Sequence, residues 1–177
     1  MENTMGLPDM AIPAMPSSEV KLKYTDGTSR TVYATDVEKS FPDGRLIVSR
    51  TDIASLITHA NDAFVEMSGY AREELIGAPH HILRHPDMPK IVFKGLWDTI
   101  AAGKKWHGYV KNLRKDGAFY WVYATAVPSI RNGQVVGFTS VRRKPSRARI
   151  DALVPVYRQW LDEQNAASTV GFASSFD

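Results

Sequence analysis

The chain has 177 residues and a mass of 19.7 kDa, enough for one domain with terminal extensions and too few for two catalytic domains. Hydrophobic residues at 44% and charged residues at 23% exclude wholesale disorder, and the absence of cysteine removes disulfides, Cys-ligated zinc, iron–sulfur clusters and thiolate chemistry, a cysteinyl photoadduct included. A net charge of only +3 gives nucleic-acid binding little support, and with no basic leader and no apolar run near the ~18 residues of a membrane span, a cytoplasmic location is expected.

Residues 1–18, rich in Pro, Met and Ser, read as a mobile tail. Val20, Leu22 and Tyr24 then alternate with Lys21 and Lys23, and Asp26-Gly27 offers a turn before Thr31-Val32-Tyr33, so residues 19–43 read as a hairpin-like extension. The main domain is expected over 44–145. It opens with short strands over Leu46 to Ser49 and Ser55 to Ala60. Asn61-Asp62 can cap a short helix carrying Phe64, Val65 and Met67, closed by Ser68-Gly69-Tyr70, and Arg72 to Ile76 adds one more turn. Pro79 to Pro89 is a loop, after which Ile91, Val92, Leu96, Trp97 and Ile100 recur at helical spacing until Gly103. Three strands follow, Trp106 to Leu113, Phe119 to Val127 and Gln134 to Arg142, separated by Asp116-Gly117 and Asn132-Gly133. Arg142 to Arg149 reads as a basic linker. Over 146–177 a C-terminal amphipathic helix and tail are expected, with Pro155 predicting a kink or a late start. The whole is an α+β fold: a five-stranded antiparallel sheet with short helices on one face.

Alternation along the strands separates two faces. Trp106, Gly108, Val110 and Asn112 share one side of their strand, which leaves the Asn112 amide among apolar neighbours in need of hydrogen-bond partners. A heterocycle presenting a carbonyl and an N–H would supply them, and so would nearby backbone. On the next strand Tyr120, Val122, Ala124 and Ala126 are mostly small, whereas Phe119, Trp121, Tyr123 and Thr125 are mostly bulky. Small residues under thin helical cover suggest a ligand cavity or close helix packing. The bulky face then needs a partner, a dimer mate or the terminal segments over it.

The loop from His80 to Pro89 holds three histidines, Arg84 and Asp87. Its spacing fits no familiar metal motif, and no nucleophile or oxyanion motif lies beside His85 and Asp87. Anchoring of an anion or cofactor uses every residue present: Arg84 as a rigid fork for phosphate, Asp87 as a cap, and the prolines as stiffeners.

These residues resemble the PAS sensor domain of bacterial aerotaxis receptors. The resemblance rests on Ile57-Thr58-His59-Ala60-Asn61-Asp62, Ser68-Gly69-Tyr70, Arg84-His85-Pro86-Asp87-Met88-Pro89, Trp106, Val110-Lys111-Asn112 and Tyr120-Trp121-Val122, and runs from about Arg45 to Trp160. It implies a PAS fold that binds FAD, with Arg84, His85 and Asp87 needed for binding, Trp106 and Asn112 against the isoalloxazine, and Asn61 and His80 nearby. The chain is similar as well to flavin-binding LOV photosensors, but His80 falls where their reactive cysteine would be, so adduct chemistry is excluded. Tyr123 and Thr125 stand where the aerotaxis pattern has an arginine and an asparagine.

The resemblance implies a non-enzymatic redox or oxygen-status sensor that signals through a homodimer or a chemoreceptor- or kinase-type partner, using the outer sheet face and the terminal segments. Because aerotaxis receptors continue into a membrane anchor and a signalling coiled coil, the chain is expected to be a detached sensor, a relative acting through partners, or a fragment. Rival readings are a b-type haem sensor, a cofactor-free interaction module and a flavoenzyme. Haem binding is disfavoured because the helix over 89–103 has no histidine; DNA binding would use Arg142, Arg143, Lys144, Arg147 and Arg149.

Overall fold

A computed structural model describes residues 7–173. Two strands, β1 (Ser18–Lys23) and β2 (Ser29–Ala34), pair as an antiparallel hairpin ahead of the main domain. The five-stranded sheet contains β3 (Ile47–Asp52), β4 (Ile57–Ala60), β5 (Trp106–Leu113), β6 (Phe119–Arg131) and β7 (Gln134–Arg143). Its order is β4-β3-β7-β6-β5, antiparallel throughout, with β3 and β7 paired across the middle.

The connection from β4 to β5 lies on one face of the sheet. It comprises α1 (Asp62–Ser68), α2 (Arg72–Leu75), a single 3₁₀ turn at His80–Leu83 and α3 (Lys90–Ala101). Asn61 caps α1, its side-chain oxygen accepting from Phe64 N, and Gly69 ends it at φ 76°, a left-handed conformation that costs glycine little. The loop after the 3₁₀ turn is tied to the sheet edge by an antiparallel backbone bridge between Arg84 and Asn112 of β5.

α4 (Arg147–Ala173) lies across the outer face. The Tyr157 hydroxyl donates to the Tyr109 carbonyl at 2.8 Å, and its ring lies 6.2 Å from that of Trp121. Burying the outward-facing Trp121 in this way contributes ~1.5–3 kcal/mol. The bulky face of β6 is therefore covered in part by the chain's own C-terminal helix.

Several expectations change. Residues 7–17 lie outside any helix and reach a strand only at Ser18, yet Met10 is buried against Val32 and Leu113, so this stretch is laid on the fold and is not a mobile tail; residues 1–6 and 174–177 of the expected tails lie outside the described residues. β6 continues through Pro128, because β5 pairs no further than Ala126 and the proline sits where that edge is free. α4 begins at Arg147, ahead of Pro155, so the late start does not occur. The basic run is no linker either: Arg142 and Arg143 complete β7, Arg142 is buried, Arg143 lies 4.8 Å over Tyr123, Lys144 pairs with Asp43 and Arg147 with Glu38. A continuous basic surface is therefore not formed.

Candidate functional site

Period-two alternation delivers one set of side chains to the inner face: Trp106, Val110 and Asn112 from β5, Val122 and Ala124 from β6, and Phe138, Ser140 and Arg142 from β7. With the loop residues Leu83 and Arg84 and the α3 residues Phe93, Leu96 and Trp97 they enclose a cavity of about 620 Å³, within the ~300–1,000 Å³ range of small-molecule and cofactor sites. Trp106 forms one wall by lying over Gly108, where any Cβ would overlap the six-membered ring of the indole.

The polar side is built around Arg142, which is 2% exposed. Its Nη2 donates to Ser49 Oγ at 2.5 Å and its guanidinium lies 4.5 Å over the Phe64 ring, while Nε and Nη1 are buried without a hydrogen-bond partner. Burial pulls the Arg142 pKa down to about 10, which still leaves the group charged near neutrality. Ser49 Oγ also lies 3.3 Å from His80 Nε2. The hydroxyl already accepts from Arg142 and can donate to Nε2 or accept a second bond from it, according to which imidazole nitrogen carries the proton. Burial, reinforced by the Arg142 charge, lowers the His80 pKa to about 3. The imidazole is therefore a neutral wall of the cavity.

The seven residues expected at the site divide in two. Arg84, His80, Trp106 and Asn112 line the cavity. Arg84 lies 4.2 Å over the Phe93 ring and makes no ion pair among the described residues, while the Asn112 amide lies beside the Tyr120 hydroxyl. Asn61, His85 and Asp87 do not line it. The Asn61 amide is occupied by Val48 N, Phe64 N and the Leu46 carbonyl. His85 is buried, its Nδ1 accepting from Asp87 N at 3.0 Å, and Asp87 accepts from Lys111 Nζ at 2.8 Å. These contacts hold the loop that carries Arg84. Among the described residues, no group of three or more His, Asp or Glu side chains could hold a metal ion.

The histidines give the fold an acid limit. Burial holds the His85 pKa well below its ordinary value too, with Lys111 pushing it further and Asp87 opposing. Below pH 6.5 the unfolded chain takes up protons that the folded chain refuses, so stability is intact above that pH and falls below it, by up to ~1.4 kcal/mol per pH unit for each histidine. Thermal denaturation between pH 7 and pH 4.5 should show a falling midpoint, with a shallower slope in His80→Gln. Equal slopes in the two proteins would contradict the assignment.

A family profile described as the PAS fold matches residues 57–142, from β4 into the end of β7, and so takes in Arg84, Asn112 and Arg142. The chain belongs to the PAS family. It aligns with the aerotaxis receptor of Escherichia coli strain K12 at 46% identity over 126 residues, 71% of this chain and 25% of that one. The nitrogen fixation regulatory protein of Klebsiella pneumoniae is 27% identical over 54% of this chain and 20% of its own length. The chain thus spans a quarter or less of either relative. Among solved structures, a light-oxygen-voltage domain studied with a flavin analogue shares the PAS fold at a TM-score of 0.57 and 21% identity, covering 69% of this chain and 89% of that one. The light-state Aureochrome1 LOV domain does so at 0.54 and 20%, covering 67% and 91%.

Arg142 is the site residue that sequence reasoning missed. Its signal was the alternation Phe138, Ser140, Arg142, hidden because the strand was closed at the first arginine of a basic run. Ser49 had the same kind of signal, a polar residue at an inward position of β3.

Proposed function

We propose that the chain is a PAS sensor that holds FAD in this cavity and reports the redox or oxygen status of its surroundings. The observation that carries the reading is Arg142, a buried guanidinium with two unpartnered nitrogens, Nε and Nη1, and no carboxylate beside it. A charge kept in such a place calls for an acceptor-rich ligand. A flavin fits the donor set: carbonyl and nitrogen acceptors for Arg142, a mixed amide for Asn112, and a flat ring against Trp106 over Val122 and Ala124. Arg84 is assigned to the phosphates, with His85 and Asp87 as the positioning residues of its loop. His80 lines the ring site, and Asn61 acts as a structural cap near it. The aerotaxis resemblance favours the same occupant.

Bound there, a flavin supplies reversible electron uptake that alters its hydrogen-bond donors and acceptors. Asn112 can answer by turning its amide, which offers an oxygen or an NH2 group to the same position. Through the paired strands β5 and β6 the change reaches Tyr109 and Trp121, and from them α4. A difference of ~1.4 kcal/mol between two arrangements shifts their ratio tenfold. The outer face and the terminal segments then pass the signal to a dimer mate or to a chemoreceptor- or kinase-type partner, in the cytoplasm and without turnover of a substrate. Among the described residues no helix is long and apolar enough to cross a membrane.

With FAD loaded, reduction by dithionite should change hydrogen exchange in β5, β6 and the first turns of α4, and Asn112→Leu should suppress the change while retaining flavin. Identical exchange in both redox states would contradict the proposed route.

A further inference from the structure

The cavity has a wall that the family match does not include. The profile begins at residue 57, yet Tyr24, Thr25 and Asp26, at the tip of the β1–β2 hairpin, line the cavity together with His81 and Arg84. The hairpin is docked there by specific contacts. Tyr24 is 4% exposed, and its ring lies parallel to that of His81, with centroids 3.8 Å apart and planes 4° apart. Arg30 of β2 donates to the Ile82 carbonyl at 3.2 Å, to the Tyr70 hydroxyl at 2.8 Å and to the Pro8 carbonyl at 2.6 Å, so the hairpin is fastened to the same turn that carries His80 and His81.

This wall has polar capacity to spare. His81 Nε2 is buried without a hydrogen-bond partner and lies 3.9 Å from Asp26 Oδ2. Lys90 and Lys94 of α3 also line the cavity; Lys94 is neutralised by Asp98 at 2.5 Å, whereas Arg84 and Lys90 carry no side-chain ion pair among the described residues. Two uncompensated cations in the same cavity lining as an acceptor carboxylate and an imidazole suit a phosphate linked to a hydroxyl- or amino-bearing nucleoside. They do not suit an apolar tail.

We propose that the hairpin tip and His81 form the subsite for the nucleotide half of the ligand, so that Tyr24, Asp26 and His81 make the chain select a flavin dinucleotide over riboflavin. The inference rests on the flavin reading above and adds to it the origin of the length preference. The ring end is held by Arg142, Asn112 and Trp106, the phosphates by Arg84 and Lys90, and the terminal nucleoside by the N-terminal hairpin. Ligand binding and hairpin docking are then linked, each favouring the other.

The test is a fluorescence titration of the full chain with riboflavin, FMN and FAD. Wild type should bind FAD at least tenfold tighter than riboflavin, and Tyr24→Ala should lose most of that margin while leaving riboflavin affinity within about twofold. Loss of both ligands in equal proportion, or of neither, would overturn the subsite. Should Tyr24→Ala fail to fold, limited proteolysis of wild type decides: FAD should protect the turn between β1 and β2 more than riboflavin does, and equal protection overturns the proposal. Wild type that binds none of the three flavins would instead overturn the parent reading.

Discussion

Arg142→Met is expected to separate stability from binding. In the ligand-free protein the substitution removes a buried charge whose Nε and Nη1 are unpartnered, and it keeps an unbranched chain against Phe64. Releasing that desolvation cost should leave the fold unchanged or stabilise it by ~1–3 kcal/mol, even after the loss of the bond to Ser49. Flavin affinity should fall tenfold to a hundredfold, the value of one or two charge-assisted hydrogen bonds. Denaturant midpoints and flavin titrations on the same two proteins measure both quantities. An arginine with a purely structural role gives the opposite pattern, a destabilised protein that still binds.

Ala124→Phe addresses the space itself. Ala124 lies on the cavity side of β6 between Val122 and Ala126 and is one of the residues that line the cavity. A phenyl group placed there projects into a cavity of about 620 Å³, so it meets little of the overpacking that costs ~1–3 kcal/mol in a filled core. The expected result is a protein that melts at or above the wild-type temperature and has lost flavin binding by more than a hundredfold. If the volume were a loosely packed region with no ligand, the substitution would stabilise the chain and leave binding at the wild-type level. If it were already filled, the substitution would unfold the chain.

How far the sequence carried the site depends on the range of each signal. The faces of β5 and β6 were legible because alternation is local: it put Trp106, Val110 and Asn112 on one side with Val122 and Ala124, and the strands align those residues across the sheet. The role of Asn61 as a cap was legible for the same reason. The loop over 80–89 was recognisable as a constellation, but the orientation of each side chain was not. Whether His85 faced the cavity or the interior behind it was settled by the Arg84–Asn112 bridge and by the pairing of Asp87 with Lys111. The hairpin was expected as an element but not at the cavity, since its contacts with Tyr70, His81 and Ile82 span forty residues or more of sequence. Arg142 was lost to composition: three cations in a row read as surface, though the first of them continued a strand.

The central claim is that the space between the sheet and α3 is kept for a flavin. Absorption spectroscopy of gently purified protein, followed by mass determination of the molecule released on denaturation, tests it most directly. Flavin absorption bands, with the mass of FAD in the released fraction, are the expected result. A colourless protein that stays colourless after incubation with FAD, or a Soret band in place of flavin bands, would contradict it.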